Sequence, residues 1–255
     1  MKTSIATIAA FVAIAAASNN TVAENVLASD VQVNHLGYTL TYNCAGHTAD
    51  RWTYTLDKAT GDAARPSSFY VDPDVSTSCQ QKTTATYKTT QTTTEYDRGH
   101  LVASAHMGNS VEQRRQSHYM TNIAPQVAGF NRGIWERTEA IEACYRELKP
   151  LTTYGGLVYT DASNDYFVDT HGIKTPDFWW KVVVTKDATT GKDKIISWYF
   201  PNQPNLGTLD KYLVSVNDIE SRLVDGLGPI PVASSLKSFK ATANWELPAG
   251  CTRSL

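Results

Sequence analysis

Two apolar runs constrain the fold of this chain most: FWWKVVVT at residues 178–185 and KIISWYF at residues 194–200, separated by a turn around Thr190-Gly191-Lys192. Both are rich in aromatic and β-branched residues and short, so together they read as a central antiparallel hairpin. Further strand signals lie upstream. Residues 31–56 alternate polar and apolar (LGYTLTYN, then DRWTYTLD) and read as two strands joined by a turn near residues 44–49, and GLVYT at 156–160 adds another. The clearest helix is predicted over residues 132–149, stopped by Pro150. Ile134, Ile141, Tyr145 and Leu148 fall at helical spacing toward a core, with Arg132, Glu136, Arg137, Glu142 and Arg146 on other faces. Helix and strands interleave without a β-α-β rhythm. The fold class expected is α+β, a mainly antiparallel central sheet flanked by helices.

The N-terminus has a different character. Lys2 precedes a thirteen-residue uncharged run, residues 5–17 (IATIAAFVAIAAA), too short to span a bilayer comfortably and suited to a secretory signal. Cleavage is expected after Ala17 or Ala23, leaving residues 24–255 as a single domain. No later segment is apolar enough to cross a membrane, so a secreted protein with no membrane partner is expected. In an oxidising compartment Cys44, Cys79, Cys144 and Cys251 form an even set with three possible pairings. No two have C-x-x-C spacing. Pairing Cys44 with Cys79 and Cys144 with Cys251 closes the shorter loops.

Lys+Arg is 23 against Asp+Glu 25, a net charge of -2, so a polyanion binder must hold its basic residues locally. Between residues 77 and 94, nine of eighteen residues are Thr. That reads as a solvated surface loop, or alternatively as a flap that brings Lys82 and Lys88 to phosphates.

The chemistry is concentrated in residues 96–139, YDRGHLVASAHMGNSVEQRRQSHYMTNIAPQVAGFNRGIWERTE. A neutral imidazole at His100 can take a proton from water, and the Arg98 guanidinium can grip a phosphate oxygen. Gly99 permits close backbone approach between them. The carbonyl of Asn131 is a hard oxygen ligand suited to Mg²⁺, and Glu139, two turns further, can order its waters. Base, guanidinium and hydrated divalent metal are the parts needed for phosphodiester hydrolysis.

Those residues resemble a known family, the sugar-non-specific DNA/RNA endonucleases with a ββα-metal site. Its DRGH stands here as Asp97-Arg98-Gly99-His100, its [ST]-N-[IV]-x-P-Q as residues 121–126, and its N-x-x-x-W-x-x-x-E as Asn131, Trp135 and Glu139. All three fall in order within 43 residues. The likeness continues more loosely over residues 35–205. It implies His100 as general base and Asn131 as the direct Mg²⁺ ligand, with Mn²⁺ able to substitute. It further implies that Arg98 steadies the scissile phosphate and that Asn122 and Glu139 order the metal's waters. Arg65, in RPSSFYVDP, looks like the family's remote phosphate-binding arginine. In one departure, a basic residue one turn beyond the helix glutamate in bacterial secreted members is Ala143 here, with Arg146 nearby as a candidate substitute.

Bland readings stand beside these. His106 and His118 could join His100 in a His₃ zinc site. Arg114-Arg115 reads as a solvated charge pair that could touch a nucleic-acid backbone. Asp97 reads as a structural partner for an arginine or a backbone N–H, and Trp135, Trp179 and Trp180 as core. The function expected is a secreted Mg²⁺-dependent endonuclease with DNA and RNA as substrates. The alternative is a catalytically silent nucleic-acid-binding or effector protein on the same scaffold. A Ser/His esterase is disfavoured because G-x-S-x-G is absent from the sequence.

Overall fold

A computed structural model of the chain describes residues 30–81, 87, 94–161 and 173–251. The expected signal segment, Lys82 and Lys88 lie outside the described residues. Three strands come first, β1 (Asp30–His35), β2 (Tyr38–Asn43) and β3 (Thr48–Leu56). A separate pair follows, β4 (Tyr96–His100) and β5 (Ile123–Val127), and then β6 (Leu151–Val158), β7 (Phe178–Lys186) and β8 (Asp193–Pro201). The large sheet has the order β1-β2-β3-β6-β7-β8, and every neighbouring pair in it is antiparallel. The α+β class is as expected.

Two details differ from the sequence reading. Residues 31–56 form three strands, because the first stretch folds back on itself at Gly37, whose φ of +89° is open to glycine and strained for other residues. The β7–β8 hairpin is not central: β8 is an edge strand. Its outer edge is partly covered, since Val214 N–H donates to Ser197 O at 3.1 Å and the Ser197 hydroxyl donates to Val214 O at 2.6 Å.

The near-continuous apolar character of β7 has a simple cause: both of its faces are covered. Trp179 belongs to a core with Trp52, Phe130, Trp135 and Phe200, whereas Trp180 packs on the opposite face with Val158, Ile195, Val216 and Ile219. Trp135 and Trp179 meet edge-to-face at 5.2 Å. The three tryptophans read as core are all buried.

A short helix that the sequence reading lacked, α1 (Val111–Gln116), starts at Ser110, whose hydroxyl accepts the Gln113 N–H at 3.1 Å. The long helix also differs from expectation. Residues 128–130 make a first turn, Asn131–Trp135 continue in wider π-type geometry, and the regular part, α2, spans Glu136–Tyr145. Its buried stripe is partly polar. Glu142 and Arg146, expected on outer faces, are buried, while Leu148, expected inside, is 45% exposed.

Glu142 forms a buried ion pair with Lys181 of β7, with Nζ and Oε2 2.7 Å apart. Its Oε1 accepts Tyr54 Oη–H and Thr153 Oγ1–H, each at 2.5 Å, and Lys181 also donates to Thr138 Oγ1 at 2.9 Å. The network stitches α2 to β3, β6 and β7. Disulfides Cys44–Cys79 and Cys144–Cys251 fasten the periphery, the second tying the end of α2 to the C-terminal segment.

Removing Lys181 leaves Glu142 a bare buried carboxylate, so Lys181→Met is expected to cost about 3–5 kcal/mol. Urea unfolding with disulfides intact measures this, and adding Glu142→Gln should restore part of it by removing the charge. A loss under about 1 kcal/mol would show that the pair is not the principal tie.

Candidate active site

The second sheet organises the chemistry. Strands β4 and β5 pair antiparallel from Tyr96↔Val127 to His100↔Ile123, and the chain passes from β5 directly into the residue 128–145 helix. YDRGH and IAPQV are therefore paired strands feeding a helix, a ββα unit. Gly99 is needed where the ladder is tightest, because a Cβ there would lie 2.4 Å from Gln126 Cβ and 2.5 Å from its Oε1.

Asp97 fastens strand to helix. Its Oδ2 accepts Asn131 Nδ2–H at 2.8 Å and Arg132 Nε–H at 2.9 Å, and its Oδ1 accepts a second Arg132 N–H at 2.5 Å. Glu95 takes Arg132 as well, at 2.7 Å. The expected structural role of Asp97 is thus what the geometry gives. With its amide N–H held there, Asn131 keeps a carbonyl oxygen in reserve. The π-type turn around it contains Gly133 at φ −118°, ψ −110°, outside helical values. Such distortions recur at functional sites.

His100, Asn131, Glu139 and Arg65 line one cleft of about 180 Å³, together with Glu136 and Arg132. His100 packs at 5.4 Å from the Phe69 ring and 5.1 Å from His118, and its Nε2 is buried without a hydrogen-bond partner among the described residues. Burial, then His118 and the guanidiniums of Arg65, Arg98 and Arg114, hold its pKa well below 6.5. The imidazole is a neutral proton acceptor at neutral pH. Arg98 is not on the cleft lining, but its guanidinium stacks on Phe69 at 4.2 Å, on the ring that also packs against His100.

Asn122 is elsewhere. It is fully buried, with Nδ2 donating to Val102 O and Ser117 O at 2.9 Å each and Oδ1 accepting Val102 N–H at 3.0 Å. Expected to order the metal's waters, it instead braces the loop that follows His100. Arg146 is also committed, donating to Asp57 O at 2.6 Å and His106 O at 3.1 Å, so it does not replace the base missing at Ala143.

A His₃ zinc centre does not form. His118 donates from Nδ1 to Ser68 O at 3.2 Å and meets Ser104 Oγ at 2.9 Å through Nε2, and His106 Nε2 donates to Glu139 O at 3.1 Å. The close group His35, Asp72 and Asp74 contains no cleft residue. There Asp72 already accepts from His35 at 2.9 Å and from Thr121 Oγ1 at 2.6 Å. A larger hollow of about 340 Å³ near Thr39 and Tyr154 holds no histidine, and its guanidinium, Arg51, is bound by Asp225 at 2.6 and 2.8 Å.

Glu139 is half-buried, and burial pushes its pKa up to about 7 despite Lys181, with Glu142 and Glu136 adding to the rise. Two carboxylates and an amide carbonyl thus share the cleft, the hard oxygen donors that a divalent cation such as Mg²⁺ takes. The donor set fits such an ion. The helical spacing places Glu136 on an outer face rather than in the site, yet its spacing of three from Glu139 puts both on one helix face, and both line the cleft. Phe69 carried no signal in the sequence.

The family model for DNA/RNA non-specific endonucleases matches residues 18–234. The chain belongs to that family and is a nuclease. It is 28% identical over 196 residues to a nuclease of Nostoc sp., covering 72% of this chain and 68% of that protein. It is 27% identical over 196 residues to mitochondrial endonuclease G of Bos taurus (71% and 63% covered). Identity to a nuclease of Serratia marcescens is 24% over 216 residues (82% and 80% covered). In fold it is similar to a chain in the crystal structure of an EndoG/EndoGI complex, with a TM-score of 0.64 at 19% identity over 84% of this chain and 95% of that one.

Asp97→Ala frees both Asn131 and Arg132. The divalent-cation concentration for half-maximal cleavage is expected to rise about 10–100-fold, as when other outer partners of metal ligands are removed. A metal titration of cleavage rate measures it, and an unchanged midpoint would mean that Asn131 needs no anchoring.

Proposed function

We propose that the protein is a secreted, Mg²⁺-dependent endonuclease that hydrolyses phosphodiester bonds of DNA and RNA without regard to sequence. The observation that carries the reading is the sharing of one cleft by a desolvated neutral histidine, Asn131, Glu139 and Arg65. The uncharged run at residues 5–17 and the two disulfides support secretion.

His100 takes a proton from the attacking water as its oxygen bonds to phosphorus, the P–O bond to the leaving oxygen breaks, and that oxygen takes up a proton from solvent. Its lowered pKa keeps it available, and its packing between Phe69 and His118 fixes the ring. Asn131 would hold Mg²⁺ through its carbonyl oxygen, and Glu139 and Glu136 would order the ion's water shell. Once bound, Mg²⁺ supplies a Lewis acid for the charge that develops on the phosphoryl and leaving oxygens. Arg98 steadies the scissile phosphate, and Arg65 binds the strand further along the cleft. Asn122 acts at one remove, keeping the segment after His100 in place. Contacts to phosphates carry no base information, which supports cleavage without sequence preference, weakening as salt rises.

Base and metal ligand separate by mutation. His100→Ala should lose about 10²–10⁴-fold in kcat whatever the Mg²⁺ concentration. Asn131→Ala should recover in part as Mg²⁺ is raised. If added imidazole restored Asn131→Ala but not His100→Ala, the assignments would be reversed. The pH dependence has a definite sign. A base whose folded pKa lies below 6.5 stays active as pH falls through 6.5, so the acid limb of kcat/KM should lie well below that value. With Mg²⁺ saturating, so that the bound cation keeps Glu139 ionised, an acid limb at or above 6.5 contradicts a desolvated His100.

A further inference from the structure

We propose that Arg114, paired with Arg65, forms a second phosphate subsite that grips the nucleic-acid strand one step beyond the scissile phosphate. The inference rests on the nuclease reading of the cleft and adds a substrate-binding residue to it.

The geometry begins with backbone. Ala63 N–H donates to Gly108 O at 2.9 Å and Thr60 N–H to Asn109 Oδ1 at 3.0 Å, so the loop that carries Arg65 is zipped to the loop that leads into α1. A Cβ on Gly108 would lie 2.8 Å from an Arg114 terminal nitrogen, so the guanidinium lies back against this glycine. Arg114 is half-buried, and its Nε is fully buried with no hydrogen-bond partner among the described residues.

Its neighbour on the helix shows the contrast. Arg115 is committed: it donates to Tyr119 Oη at 2.9 Å, stacks over Tyr70 at 5.0 Å and lies 3.7 Å from Glu112. Arg114 has no ion pair within 4 Å among the described residues, and the charges it faces are the like charge of Arg65 and the carboxylate of Asp62. Arg114, half-buried with its Nε unpartnered, stands beside the loop that carries the exposed Arg65, so an anion that bridges the two guanidiniums supplies the partner Arg114 lacks. Arg65 lines the catalytic cleft and Arg114 does not, which puts the shared anion outside the reacting centre, on the strand's continuation.

The test compares wild type with Arg114→Gln, Arg114→Lys and Lys192→Gln, the last an exposed turn residue of equal charge change. On duplex DNA, Arg114→Gln should raise KM about 10-fold with kcat within about twofold, and Arg114→Lys should recover part of the loss. The slope of log KM against log salt should fall by about 0.9, one phosphate contact. On bis(p-nitrophenyl) phosphate, which has no second phosphate, Arg114→Gln should lose far less than on duplex DNA when assayed at about pH 8, where His100 is neutral with or without Arg114. An unchanged KM and salt slope, or an equal loss on the single diester, overturns the subsite while leaving the nuclease reading intact. If wild type cleaves neither substrate, that reading fails instead, and binding decides the subsite alone. Anisotropy of a labelled 12-nucleotide DNA in EDTA should then still show Arg114→Gln about 10-fold weaker and Lys192→Gln little changed, and equal binding by wild type and Arg114→Gln overturns the proposal.

Discussion

The ion pair between Lys181 and Glu142 is the interaction on which the site's geometry depends. Glu139 and Asn131 sit on the same helical segment as Glu142, so whatever fixes that segment against the sheet also fixes the cleft. A hydrophobic contact alone would allow the helix to slide or rotate. A buried charge held by Lys181, Tyr54 and Thr153 permits one register, because any shift strands it without partners. The Lys181 ammonium also lies 4.2 Å from the Trp135 ring, which joins this network to the aromatic core.

The opposite wall of the cleft is built differently. His100 ends a short strand whose partner strand runs straight into the helix, and Asp97, two residues beyond the Glu95 that holds the same arginine, clasps Asn131 and Arg132. Base and candidate metal ligand therefore belong to one ββα unit and move together. Around His100 the surroundings are cationic and dry, which suits a proton acceptor: burial and nearby guanidiniums both disfavour the imidazolium. Across the cleft, Glu136 adds to the rise in the Glu139 pKa, a repulsion that a bound divalent cation would relieve. The cleft thus sorts its charges into a phosphate-facing side and a cation-facing side.

Much of this was legible in the sequence. DRGH, TNIAPQ and the Asn131–Glu139 spacing marked the site, and His100, Asn131, Glu139 and Arg65 do share a cleft. The long apolar strands marked the sheet. What escaped has physical reasons. Gly37 looked like one residue in an alternating run, and its positive φ belongs to the folded backbone rather than to any pattern. Glu142 and Arg146 read as surface residues because charge is normally solvated, and their partners Lys181, Asp57 and His106 are distant in sequence. Asn122 was taken for a site residue because it stands in a site motif, yet its amide is saturated by backbone. Phe69 reaches the site through tertiary contacts that have no period.

A nuclear magnetic resonance titration of the His100 imidazole in metal-free protein tests the central claim most directly, since it reads the base without passing through catalysis. Assigned by its loss in His100→Ala, the resonance should titrate well below 6.5. A midpoint at or above 6.5 would mean that His100 is solvated or paired with a carboxylate, and that burial among guanidiniums does not set its charge.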